Sequence, residues 1–134
     1  SQKDELIKLI LLEVKCGSTR NPMVKLTLSY KGKEIEKSSS GNGPVDSIFN
    51  CINSLIDNNA KLELFLISAI TKGTDAQAEV SVRLKENDIS VSGTSSDTDT
   101  MVASAKAYII ALNKLIIKRK KRNIDLNLST KKIN

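Results

Sequence analysis

A single pattern occurs twice along this chain, and few folds can accommodate it. Val24, Leu26, Leu28 and Tyr30 alternate with Lys25, Thr27 and Ser29, the period of a half-buried strand. Lys31-Gly32 supplies a hairpin turn, and Glu34 to Ser38 returns as a short strand. After the Ser38 to Pro44 loop a helix is predicted, with Val45, Ile48, Phe49, Ile52, Leu55 and Ile56 spaced by threes and fours along one face. Pro44 suits the first helical turn, where its missing N–H costs nothing, and Asn58-Asn59 ends the helix. Ahead of this segment, residues 6–14 read as a mostly buried strand, followed by a break from Cys16 to Pro22.

The second half does the same again. Residues 61–71 read as a strand, 72–76 as a turn and 77–84 as an alternating strand with Val80, Val82 and Leu84. Asn87-Asp88 turns the chain into 89–93, and a polar loop from Thr94 to Asp97 leads to a long helix. Asp97 or Thr98 can cap that helix, which is predicted to reach about residue 118. Its apolar positions include Met101, Val102, Ala105, Ile109, Leu112 and Ile116.

The halves superimpose at a constant offset of 54 residues without a gap. Leu26 to Tyr30 fall on Val80 to Leu84, Lys31 to Glu34 on Lys85 to Asp88, and Ile48 on Val102. Such a repeat implies an α+β fold of two pseudo-repeated βββα units, two helices covering antiparallel strands. The units are expected at about 5–58 and 59–117, forming one domain over 1–117, with 118–134 a basic, flexible tail.

Charge supports that division. The last 17 residues hold 7 of the 21 basic residues and 1 of the 15 acidic ones, leaving 14 of each in the first 117. The basic character therefore belongs to the tail and not to a face of the domain, and no aromatic residues interleave with it to stack bases. No apolar run approaches the ~20 residues that span a membrane, and the opening Ser-Gln-Lys-Asp-Glu is unlike a signal peptide. Cys16 and Cys51 are expected to be reduced, cytosolic thiols. With no histidine, Ser-His and Cys-His couples and imidazole-bound metals are excluded. No catalytic residue is assigned.

The repeat places two equivalent loops, 38–44 and 92–98, at the starts of the two helices. Helix N-termini carry unpaired N–H groups and partial positive charge, so two that converge favour a carboxylate. Gly41-Asn42-Gly43-Pro44 allows a ligand close to backbone, although the same residues make a tight strand-to-helix turn.

Read together, three blocks resemble the regulatory domain of 2-isopropylmalate synthases, in the same order and spacing. They are Gly41 to Ile52 (GNGPVDSIFNCI), Ala69 to Val80 (AITKGTDAQAEV) and Thr98 to Tyr108 (TDTMVASAKAY). The similarity covers roughly residues 5–117. The resemblance implies a cytoplasmic enzyme that condenses acetyl-CoA with 2-oxoisovalerate on a metal-dependent TIM barrel, with this domain following the barrel. It further implies a homodimer that binds L-leucine at its interface for feedback inhibition. No cofactor is expected in the domain, since the divalent metal belongs to the absent barrel, and neither nucleic acid nor membrane is an expected partner.

The resemblance also implies a ligand site. Gly41, Asn42, Gly43 and Pro44 would face the amino acid's polar end, with Val45 and Asp46 at the helix start. Asp46 would help hold the ammonium group, or simply favour the helix's first turn. Leu62, Phe65 and Ala69 would form the side-chain pocket, with Ala76 and Thr100 completing it. Leu62 and Phe65 differ in parity, so a bulge is expected between them. Phe65 stands where the family usually has tyrosine, which removes a hydroxyl contact.

Three other readings remain open at this point. The related domain of (R)-citramalate synthase senses isoleucine, and one methyl position is worth only ~1–3 kcal/mol in an apolar pocket. A nucleic-acid-binding module would use Lys118 to Arg122. A dimerisation scaffold would bind no amino acid.

Overall fold

A computed structural model describes residues 6–18 and 20–133, and for Lys132 and Ile133 the backbone only. The expected domain start at 1–5, Thr19 of the expected break and Asn134 of the expected tail lie outside the described residues. The chain runs β1 (Lys8–Gly17), β2 (Arg20–Tyr30), β3 (Lys33–Ser40), α1 (Pro44–Leu55), β4 (Lys61–Lys72), β5 (Asp75–Glu86), β6 (Ile89–Asp97) and α2 (Thr100–Ile133). Each triplet of strands forms its own antiparallel meander, in the orders β1-β2-β3 and β4-β5-β6. This is the expected α+β duplication of βββα.

Local chemistry sets the turns. Lys31 and Gly32 have φ of 54° and 74°, and two positive φ values in a row are what a two-residue hairpin of matching twist requires. Pro44 begins α1, and its carbonyl ladder starts with Ser47 N–H donating to Gly43 O at 2.9 Å. The central strands bury one face completely: Val24, Leu26 and Leu28 in β2, and Val80, Val82 and Leu84 in β5, are each at most 1% exposed. Onto these faces pack Ile48, Phe49 and Ile52 of α1 and an alanine-rich side of α2, with Ala103, Ala107, Ala111, Leu112 and Leu115 buried. Small residues let α2 lie close to β6. Gly93 sits directly beneath it, where a Cβ would meet Ala107 O at 2.2 Å.

The two units share this core. Besides its own sheet, α2 touches β1 and α1. Asn113 on α2 is doubly bonded to β1's approach: Ile7 N–H donates to its Oδ1 at 2.7 Å, and its Nδ2 donates to Ile7 O at 2.9 Å. Replacing Asn113 with alanine leaves both backbone groups of a buried residue without these partners. The expected cost is about 1–3 kcal/mol in urea unfolding, with faster amide exchange at Ile7. A loss under ~0.5 kcal/mol would mean water replaces the amide at no penalty.

Several boundaries differ from expectation. The offset is not a constant 54. From β2 onward it is 56: the hairpin-closing pair Tyr30–Lys33 corresponds to Glu86–Ile89, and Pro44 to Thr100. On the first strand it is 53, where the bulge between Leu9 and Leu11 corresponds to that between Leu62 and Leu64. A slip of two residues leaves every side chain on its own face, so alternation alone cannot detect it. The break expected at 16–22 is mostly strand, since β1 continues to Gly17 and β2 starts at Arg20, before β3's reach begins at Met23. Pro22 is thereby spared a missing ladder bond to β3. Asn58-Asn59 lie past the helix, which ends at Leu55.

The polar segment 94–97, expected as a loop, is paired with β5 through Thr94–Ser81 to Asp97–Ala78. Neither Asp97 nor Thr98 caps α2. Asp99 does so, its Oδ1 accepting from Met101 N–H at 2.8 Å and Val102 N–H at 3.3 Å. The end of α2, expected near 118, lies at Ile133, so the basic segment continues the same helix. By length and composition α2 is long and apolar enough to cross a membrane, and half of its most apolar window is buried in the domain.

Candidate functional site

The β3–α1 loop is held by its own first helical turn. Asp46 Oδ2 accepts from Asn42 N–H at 3.3 Å and from Asn50 Nδ2 at 3.4 Å, folding the carboxylate back over the loop. Ser47 Oγ donates to Gly43 O at 2.7 Å. Gly41 suits this packing: a Cβ there would lie 2.7 Å from Asp46 Oδ2 and 2.9 Å from Ser47 Oγ, so both side chains would have to move aside. Gly43 caps α1 in extended backbone, with open space around it and no side-chain cap. The helix N-terminus therefore presents backbone rather than side chains. Asn42 and Asp46 are exposed, while Gly41, Gly43, Pro44 and Val45 are half-buried.

The β4 residues come onto one face by the expected irregularity. Leu62 pairs with Leu84, the register shifts before Leu64, and Phe65 then pairs with Val82 and Ala69 with Ala78. Directly paired residues point to the same side of a sheet. Leu62, Phe65 and Ala69 thus share the helix-side face with Val82 and Leu84, and so does Ala76, which pairs with Thr71. Yet β4 is an edge strand and the helices do not cover it: Leu62 is 47% and Ile67 50% exposed. Thr100 opens α2 three residues beyond Asp97, the partner of Ala78, and so follows the same end of the sheet.

One contact links the loop side to the strand side. Phe49, four residues after Val45 on the same helix face, meets Phe65 edge-on with ring centroids 5.8 Å apart. Its other neighbour is Tyr108 of α2, stacked at 4.2 Å. The Tyr108 hydroxyl donates to Asn53 Oδ1 at 2.7 Å, and burial pushes its pKa up against the opposing effect of that bond. Neither Phe49 nor Tyr108 was among the expected site residues. The signal available for Phe49 was its place one turn after Val45, which reads equally well as ordinary core.

The expected residues therefore gather as a loop (Gly41 to Asp46), a strand face (Leu62, Phe65, Ala69, Ala76) and a helix start (Thr100). They line an open surface. Three clefts, of ≈ 440, ≈ 310 and ≈ 390 Å³, are lined by other residues, the first of them by Asn59, Lys61, Glu63, Lys85 and Asn87. Among the described residues no three His, Cys, Asp or Glu side chains come together to hold a metal. Cys51 is buried and its pKa is raised by that burial, with Lys37 opposing, while Cys16 is exposed.

Comparison with known proteins decides what this arrangement belongs to. Residues 1–116 match the family described as the LeuA allosteric (dimerisation) domain. This chain is a member of that family. Similar proteins include the 2-isopropylmalate synthase of Bradyrhizobium sp. (strain BTAi1), 50% identical over 115 residues, 86% of this chain and 22% of that protein. The 2-isopropylmalate synthase of Rhodopseudomonas palustris (strain BisA53) is 48% identical over 121 residues, 90% of this chain and 23% of that protein. That of Methylobacterium nodulans is 48% identical over 110 residues, 82% of this chain and 21% of that protein. The chain thus spans between a fifth and a quarter of the length of these relatives. The LeuA family match stops at residue 116, while α2 runs on to Ile133.

Proposed function

We propose that this domain binds L-leucine between two copies of itself and transmits feedback inhibition to the catalytic barrel of a 2-isopropylmalate synthase. The Phe49–Phe65 contact carries the reading, because it packs the helix whose start suits a carboxylate against the apolar strand face that suits a branched side chain. Backbone N–H groups at the start of α1 would receive the carboxylate. Leu62, Phe65, Ala69 and Ala76 would surround the isobutyl group, with Thr100 beside them. The site is open in one chain, and exposed Leu62, Leu66 and Ile67 on an edge strand are the kind of surface a second copy covers. Isoleucine sensing is the nearest alternative, separated by one methyl position.

The basic segment favours no nucleic-acid function. Arg119 and Arg122 are paired with Glu86 and Asp88, and Lys118 donates to Ser90 O. Isothermal titration with leucine, isoleucine and valine in parallel tests the proposal. Saturable binding that prefers leucine is expected, and leucine at a hundred times its Kd should stabilise the fold by about 2.7 kcal/mol in urea unfolding. Preference for isoleucine would move the assignment to a citramalate synthase sensor. A folded dimer that binds none of the three would remove the sensing function and leave a scaffold.

A further inference from the structure

We propose that Phe49 is a specificity-determining residue of the amino-acid pocket, setting its depth as the inner wall behind Phe65. This rests on the leucine-binding reading above. Phe49 belongs to α1 and Phe65 to β4, so the contact crosses between the two βββα units and bridges the two sides of the pocket. The ring of Phe49 is 7% exposed and cannot retreat, because Tyr108 is stacked 4.2 Å behind it. Tyr108, itself 2% exposed, is fixed by its 2.7 Å hydrogen bond to Asn53. A wall of rings held at both ends resists deformation, since close-packed interiors accommodate even one added methylene only with strain. Closed over by a second copy, this open face would form a pocket that Phe49 limits in depth, one that accepts a short branched side chain and excludes longer unbranched ones.

The chain contains two phenylalanines, which makes the wall directly observable. The chain of residues 1–134 labelled with 4-fluorophenylalanine gives one ¹⁹F resonance for Phe49 and one for Phe65, assigned with Phe65→Leu. Titration with leucine should shift both resonances with the same saturation curve. A Phe65 signal that moves while that of Phe49 stays fixed would overturn the assignment of Phe49 and leave the leucine site standing. No binding by the unsubstituted chain, with both signals unmoved, would overturn the underlying reading and this proposal with it. In parallel, Phe49→Leu should shorten the wall and improve binding of norleucine relative to leucine by at least about tenfold, with norleucine, methionine and valine titrated beside leucine. An unchanged ratio in folded Phe49→Leu protein would overturn the proposal. Should that variant fail to fold, the fluorine titration of the unsubstituted sequence gives the decision by itself.

Discussion

Alanine at position 93 is expected to destabilise the domain by about 3 kcal/mol or more. Gly93 lies in β6, and its φ is not in the left-handed region, so its backbone would tolerate a side chain. Space is what forbids one. A Cβ would come within 2.2 Å of Ala107 O, 2.7 Å of Ala111 N and 3.1 Å of Ile110 Cβ. Two of those atoms are helix backbone, which cannot rotate aside, so α2 must lift off the sheet and open the packing of Ala103, Ala107 and Ala111. Against a total stability of ~5–15 kcal/mol, the variant should show a much lower urea midpoint. Gly73→Ala is the control: Gly73 has φ +62° and open space around it, so only the ~1 kcal/mol conformational penalty applies. Similar losses at the two glycines would mean that β6 and α2 are less closely packed than this geometry requires.

Removing Arg119 is expected to cost about 2–3 kcal/mol and to loosen the C-terminal part of α2. The guanidinium grips Glu86 with Nε at 2.6 Å and Nη2 at 2.5 Å, and Asn59 N–H donates to the same carboxylate at 2.7 Å. The Glu86 side chain is 9% exposed and that of Arg119 30%, so Arg119→Ala leaves a nearly buried charge without its counter-ion, held by the Asn59 N–H. The cost falls below that of a fully buried pair because water reaches the arginine side. Amide exchange should accelerate beyond residue 118, where Arg122–Asp88 is the next tether to the β5–β6 turn.

Glu86 also gives the pair a pH signature. Its pKa is lowered from 4.5, first by the Arg119 hydrogen bonds, with burial opposing and Asn59 assisting. A carboxylate with a depressed folded pKa binds protons more tightly when unfolded, so its contribution is complete above pH 4.5 and is lost as pH falls through the lower folded value. Glu86→Gln should therefore be less stable than the parent chain at pH 7, and the difference should shrink below about pH 4. A difference independent of pH between 3 and 7 would show that packing, not charge, holds this end of the helix.

Much of the architecture was legible because it rests on local chemistry. The alternation in β2 and β5, the Lys31-Gly32 hairpin and the Pro44 helix start need no distant partner. The β4 bulge was expected from the resemblance, which placed Leu62 and Phe65, of unequal parity, in one pocket. Membership of the LeuA allosteric (dimerisation) domain family was legible too, in three ordered blocks. What the sequence left undecided were features whose cause lies far along the chain. The offset of 56 escaped detection because a two-residue slip preserves a period of two. Thr94 to Asp97 look like loop residues by polarity, and become strand only because β5 offers them a ladder. Lys118 to Arg122 read as a solvated terminus, yet the helix continues there because Glu86 and Asp88, more than thirty residues earlier, hold Arg119 and Arg122. The packing partner of Phe65 was not legible. A phenylalanine on an apolar helix face fits any core, and only the packing of one βββα unit against the other puts Phe49 between Phe65 and Tyr108.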